Sequence, residues 1–135
     1  MFLQLMIDKL SGSSKHWLTV KSQRNEQEND MKNVYPDVDY GRDLTQHITP
    51  NFKYGEFVAS EKAMQYGIKN IPNEQEWQNI EFVAKTILQP LRDKLGIPLT
   101  VNSGFRNNEL NKLAGGSETS FHRLGCAVDV DTAKI

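Results

Sequence analysis

The stretch SETSFHRLGCAVDVDT, residues 117–132, decides how the chain is read. It carries His122, one of three histidines, seven positions ahead of an aspartate, Asp129, that interrupts an apolar alternating run. Ala127, Asp129 and Asp131 alternate with Val128 and Val130, which predicts a strand with two distinct faces. An unpaired charge buried in such a strand costs several kcal/mol, so a carboxylate at Asp129 points to a partner. Histidine nitrogen and carboxylate oxygen are zinc donors, and a catalytic zinc site keeps one position open for water. A histidine in the loop before a strand and an aspartate inside it converge on one ion if the chain turns between them, and Gly125 supplies a turn. Spacing alone also fits a pair of solvated surface residues.

Immediately upstream, IPLTVNSGFR reads as a strand over about Leu99–Ser103 broken by Gly104. Arg106 follows that break, where a guanidinium fork is placed to grip a carboxylate through two parallel hydrogen bonds. A surface arginine or a helix-flanking ion pair is the plainer alternative. NNELNKLAGG reads as a short helix closed by glycines. Further back lies the strongest helical pattern: Asn73 as N-cap with Glu76 three residues on, then Trp77, Ile80, Ala84, Ile87, Leu88, Leu91 and Leu95 as a core stripe, ended by Gly96. Pro90 inside it predicts a kink, with the Thr86 carbonyl losing its partner. A shorter helix runs from Ser60 as N-cap to Gly67, and Phe52 and Phe57 are expected core anchors. Helices first and strands later predict an α+β fold with helices packed on a small antiparallel sheet.

The run TVNSGFRNNELNKLAGGSETSFHRLGCAVDVD, residues 100–131, resembles the core of the zinc D-Ala-D-Ala carboxypeptidase family, in particular its small peptidase A C-terminal-type domains common in phages and bacteria. The matching positions are Ser103, Gly104, Phe105 and Arg106, then Leu110 and Asn111, Gly115, Gly116 and Ser117, then Ser120, His122, Gly125, Ala127 and Asp129. NFKYGEF and ILQPLRDKLGIPLTV extend the resemblance upstream to about residue 44, and Pro90 belongs to that pattern. The resemblance implies a hedgehog/D-Ala-D-Ala peptidase-like fold. It implies that His122 and Asp129 bind zinc, that Arg106 holds a carboxylate of a peptidoglycan stem peptide, and that Ser120 lines the same cleft. Cys126, at a variable position of the motif, is a weak further candidate ligand.

In that family a Glu or Asp acting as general base and, three residues later, a His as third zinc ligand follow after a further connection. The sequence given ends at Ile135 and holds no counterpart to either, and His16 and His47 lie on the wrong side of the motif. A two-ligand site holds zinc weakly, and hydrolysis without a positioned base loses a factor of ~10²–10⁴. The expectations are therefore a truncated or frameshifted copy, a remainder encoded on an adjacent frame, or a cell-wall peptide binder or phage structural remnant on the same fold. Without its final strands such a fold would leave residues 126–132 as an unpaired edge, which predicts self-association and poor solubility.

Composition narrows the remaining classes. At 135 residues with 38% hydrophobic residues the chain can build one domain, and a formal net charge of −1 gives no general attraction to nucleic acid. The single cysteine excludes an internal disulfide. MFLQLMIDKL lacks a basic leader and a clean cleavage site, so no signal peptide is read, and no run approaches the ~20 apolar residues of a membrane span. A phage lysis role, with release aided by a partner, would accommodate that. KSQRNEQENDMKN, residues 21–33, reads as a polar linker. Residues 1–43 are expected to form an N-terminal appendage, with Met31 as an alternative start and a short amphipathic helix at 2–10 as the competing reading, and 44–135 the peptidase-like domain.

Overall fold

The computed structural model describes the backbone of residues 2–8 and 15–21 and all atoms of residues 32–132. Of the polar linker read at 21–33, residues 22–31 lie outside the described residues, the alternative start at Met31 among them, while Lys21 belongs to strand β2. Among the described residues there are six strands: β1 (Phe2–Asp8), β2 (Lys15–Lys21), β3 (His47–Thr49), β4 (Phe52–Lys53), β5 (Leu99–Ser103) and β6 (Ala127–Thr132). A four-stranded sheet has the order β1-β2-β6-β5, and β3 and β4 form a separate antiparallel pair. The large sheet is antiparallel except between β2 and β6, which run parallel with Trp17 opposite Ala127 and Lys21 opposite Asp131.

Two expectations change here. Residues 2–8 form a strand and not the helix considered for 2–10, because β1 pairs along its whole length with β2. Strand β6 is no open edge: β5 covers one side and β2 the other, so the backbone groups expected to drive self-association are already paired. The α+β class stands.

The helices follow their local signals. Helix α1 (Glu61–Gln65) starts where Ser60 Oγ accepts the Ala63 N–H at 3.0 Å, and ends before Gly67 at φ 70°. Helix α2 (Glu74–Val83) opens on a capping box, with Glu76 N–H to Asn73 Oδ1 and Asn73 N–H to Glu76 Oε1 both at 2.8 Å. It passes through a π turn at Ala84–Leu88 into α3 (Gln89–Leu95), which Gly96 closes in the left-handed region. The irregularity ascribed to Pro90 thus takes the form of a widened turn just ahead of the proline. Helix α4 spans Asn108–Leu113, capped by Asn107 Oδ1 on the Leu110 N–H at 2.9 Å.

The core lies between the α2–α3 helix and one face of the sheet. Phe52, Phe57, Trp77, Ile80, Leu88 and Val130 are buried together, and Trp77 Nε1–H donates to the Tyr40 carbonyl at 2.7 Å. Leu95 departs from the predicted stripe: it is 45% exposed in the last position of α3. Val128 and Val130 face this core as the alternation predicts, which turns Asp129 to the other side. No helix among the described residues is long and apolar enough to cross a membrane.

Candidate metal centre and carboxylate cleft

A 3-10 turn at Phe121–Leu124 delivers His122 in front of β6. Ser120 caps it, its Oγ accepting the His122 N–H at 3.2 Å, and Gly125 leaves it at φ 78°. Any Cβ on Gly125 would lie 2.7 Å from the Glu76 carbonyl oxygen, so the turn needs glycine both for its backbone and for its seat against α2. Asn79 Nδ2–H bonds the Leu124 carbonyl at 2.8 Å and ties the same turn to that helix.

His122 is oriented from behind. Its Nδ1 lies 2.7 Å from the Gly104 carbonyl oxygen, which can only accept, so Nδ1 carries the proton and donates. This leaves Nε2 facing Asp129, whose Oδ1 is 3.5 Å away. That separation is long for a charge-assisted hydrogen bond. Two donors each at about 2.0–2.1 Å from a tetrahedral zinc ion stand roughly 3.3 Å apart, so the pair fits the flanks of one ion better than it fits a direct bond. A backbone carbonyl holding the far nitrogen of a ligating imidazole is the usual support for such a ligand. Residues present therefore fit zinc at two positions. Among the described residues no group of three His, Cys, Asp or Glu side chains is arranged to hold a metal ion.

Arg106 stands beside this pair. Its backbone N–H donates to the His122 carbonyl at 3.0 Å, which locks the two motif segments together. Its guanidinium is half-buried, and burial lowers its pKa from the usual arginine value while the nearby Asp129 carboxylate opposes the shift. Nη2 reaches Ser120 Oγ only at 3.5 Å, and the buried Nε has no hydrogen-bond partner among the described residues. A cavity of about 230 Å³ opens at Arg106, lined also by Ser60, Asn102, Ser103, Phe105 and Leu110. A half-buried guanidinium whose Nε is unpartnered, at the wall of a cavity, has the chemistry to receive a carboxylate.

The sequence singled out His122, Asp129, Arg106 and Ser120, and all four come together. Cys126 does not join them: it is buried, with Sγ 3.9 Å from the Leu124 carbonyl. His47 is exposed on β3. Asn70 was missed. It is 2% exposed, donates from Nδ2 to the carbonyls of Phe105 at 2.9 Å and Val58 at 3.2 Å, and accepts the Asn107 N–H at 2.8 Å. One side chain thus pins both ends of the Phe105–Asn107 backbone that carries Arg106. Only its position in an otherwise ordinary KNIP loop marks it in the sequence, and no periodicity does. Replacing Asn70 by Ala leaves buried backbone groups unpaired and is expected to cost about 1–3 kcal/mol in urea denaturation, with weaker binding at Arg106.

A His–Asp pair brought together from a turn and a strand, beside a cavity walled by a half-buried guanidinium, is an arrangement suited to a metal-dependent hydrolase. The family model described as Peptidase M15 matches residues 50–135, and the chain belongs to that family. The family is one of zinc-dependent metallopeptidases, which places the chain among hydrolases of that kind. No curated protein and no solved structure matches the chain.

Proposed function

We propose that the chain is a zinc-dependent hydrolase of peptidoglycan stem peptides, of the D-Ala-D-Ala carboxypeptidase or endopeptidase kind, on a hedgehog/D-Ala-D-Ala peptidase-like fold. The observation that carries this reading is His122 Nε2 held 3.5 Å from Asp129 Oδ1 beside Arg106, whose buried Nε has no hydrogen-bond partner among the described residues. His122 and Asp129 would hold the ion, which when bound polarises a scissile carbonyl and lowers the pKa of water. Gly104, through its carbonyl, keeps the Nδ1 proton in place and the Nε2 lone pair directed forward. Arg106 receives the carboxylate of the peptide in a bidentate grip and fixes the distance between that carboxylate and the bond to be cut. Ser120 Oγ, bonded to the His122 backbone, lies at the seam between the two and keeps Arg106 aligned.

A second reading, a cell-wall peptide binder without turnover, is favoured by the two-ligand count among the described residues. The test is hydrolysis of a stem peptide with a free terminal carboxylate by the full chain, with and without a chelator. Turnover that chelation abolishes and zinc restores supports the hydrolase. Binding without turnover selects the second reading, and neither binding nor turnover sinks both. In either case Arg106→Ala is expected to weaken the peptide by roughly thirtyfold or more, as truncation of a buried charge partner does, and amidation of the peptide's terminus should reproduce that loss.

A further inference from the structure

Helix α4 has a cavity on each of two faces. Leu110 lines the one at Arg106, whereas Asn108, Asn111 and Lys112 line a second cavity of about 260 Å³, completed by Glu118 and Arg123. Residues three and four apart share a helix face, which groups 108, 111 and 112 together and sets Leu110 apart. The second cavity is lined by polar side chains of both charges: Lys112 and Arg123 as cations, Glu118 as the anion, and two amides. Its walls are held in place. Arg123 follows His122 in the 3-10 turn, and its Nε–H donates to Asn108 Oδ1 at 2.8 Å, which ties that turn to the start of α4. Asn111, 2% exposed, donates from Nδ2 to the Ser117 carbonyl at 2.8 Å, and the Gly116 N–H donates to the Asn111 carbonyl at the same distance. A Cβ on Gly116 would collide with Asn111 Oδ1, so the loop presses on the helix as only glycine allows. The Ser120 N–H to the Ser117 carbonyl at 2.9 Å and the Thr119 N–H to Ser117 Oγ at 3.1 Å then fix the turn that carries Glu118. Lys112 and Glu118 form no ion pair among the described residues.

We propose that this cavity takes a zwitterionic amino-acid head group, an ammonium and a carboxylate on one carbon, carried by the same peptide whose terminal carboxylate reaches Arg106. This rests on the reading of the chain as one that cleaves or binds stem peptides. The carboxylate lies toward Lys112 and Arg123 and the ammonium toward Glu118; a group of a single charge would face charge of its own sign. Two faces of one helix stand about 10 Å apart, the reach of about three extended residues. The head group therefore belongs to a side chain within about three residues of the peptide's end. A diamino dicarboxylic acid residue linked into the peptide through one of its two centres presents such a head group at the other. Each ion pair lies at the surface, where it changes affinity by up to about fivefold and is screened by salt.

The test is isothermal titration calorimetry of the full chain, with a chelator present so that binding is read without turnover. The probe is a stem peptide that ends in a free carboxylate and contains such a residue, in four forms: unmodified, amidated at its terminus, amidated at the head group, and N-acetylated at the head group. Each head-group modification is expected to weaken binding by about three- to tenfold at low salt. Lys112→Gln and Arg123→Gln should shrink the effect of head-group amidation, and Glu118→Gln that of acetylation, with circular dichroism confirming each fold. Lys112 and Glu118 are exposed, so their variants carry the test if Arg123→Gln does not fold. Head-group modifications without effect, or effects that persist undiminished in the folded variants, overturn the proposal; terminal amidation that still weakens the peptide then leaves the Arg106 reading standing. Sensitivity to the head group but not to the terminus keeps this cavity and overturns the Arg106 reading, and no binding of any form overturns both.

Discussion

His122→Ala lowers the zinc affinity of the chain by more than about a hundredfold, a loss beyond that of a mere supporting residue. On the proposed reading the substitution removes one of the two strong donors that the described residues offer, and with it the lone pair that the Gly104 carbonyl holds forward. It also leaves that carbonyl without its donor, at a cost to stability of about 1–3 kcal/mol. The two effects separate in His122→Asn. Asparagine Nδ2 can take the place of Nδ1 against Gly104, but nothing in its side chain reaches where Nε2 stood. Zinc should be lost in both variants, while thermal unfolding should show Asn nearer to wild type than Ala. Equal zinc affinity in all three would remove His122 from the centre.

Gly104→Ala should be the most damaging single methyl group in the site. A Cβ at 104 would lie 2.7 Å from the carbonyl oxygen of Phe57 and 2.9 Å from its Cα, and neither is the end of a flexible side chain that could step aside. The same Phe57 oxygen accepts the Phe105 N–H at 2.8 Å, so relief by sliding the segments apart breaks a buried hydrogen bond. Overpacking against backbone is expected to cost roughly 3 kcal/mol, at the upper end for an added methyl group. Since the Gly104 carbonyl orients His122, zinc affinity should fall in the same variant by about 10–100-fold. Zinc affinity retained in a destabilised but folded Gly104→Ala would show that the carbonyl does not hold the imidazole in place.

The site was legible because its signals are local. Arg106, Ser120, His122 and Asp129 lie within two dozen residues, and the turns that bring them together are marked by Gly104 and Gly125. Helix ends were equally readable, from Ser60 to Gly67 and from Asn73 to Gly96, since caps act through bonds three or four residues long. The misread parts depend on partners far away in the chain. FLQLMID contains no feature that distinguishes a strand from a short helix until β2 is beside it. Residues 126–132 looked like an open edge because nothing near them names Trp17 to Lys21 as neighbours. Asn70 escaped for the same reason, since its worth lies in bonds to Val58, Phe105 and Asn107. Leu95 fitted the helical period but stands exposed at the last position of α3.

The parallel pairing of β2 with β6 also sets the order in which the molecule can assemble. Trp17 and Ala127 are partners separated by 110 positions, so the sheet closes only after a loop of that length has been ordered. Closure entropy grows slowly with loop length, but it must be met before the contact returns anything. During synthesis the β1–β2 hairpin leaves the ribosome long before its partner strand exists, and a two-stranded hairpin is marginal by itself. Residues 32–132 can pack meanwhile around Trp77 and Phe57. Docking of the hairpin, and with it the β2–β6 pairing that includes Asp129, then becomes the late step of folding.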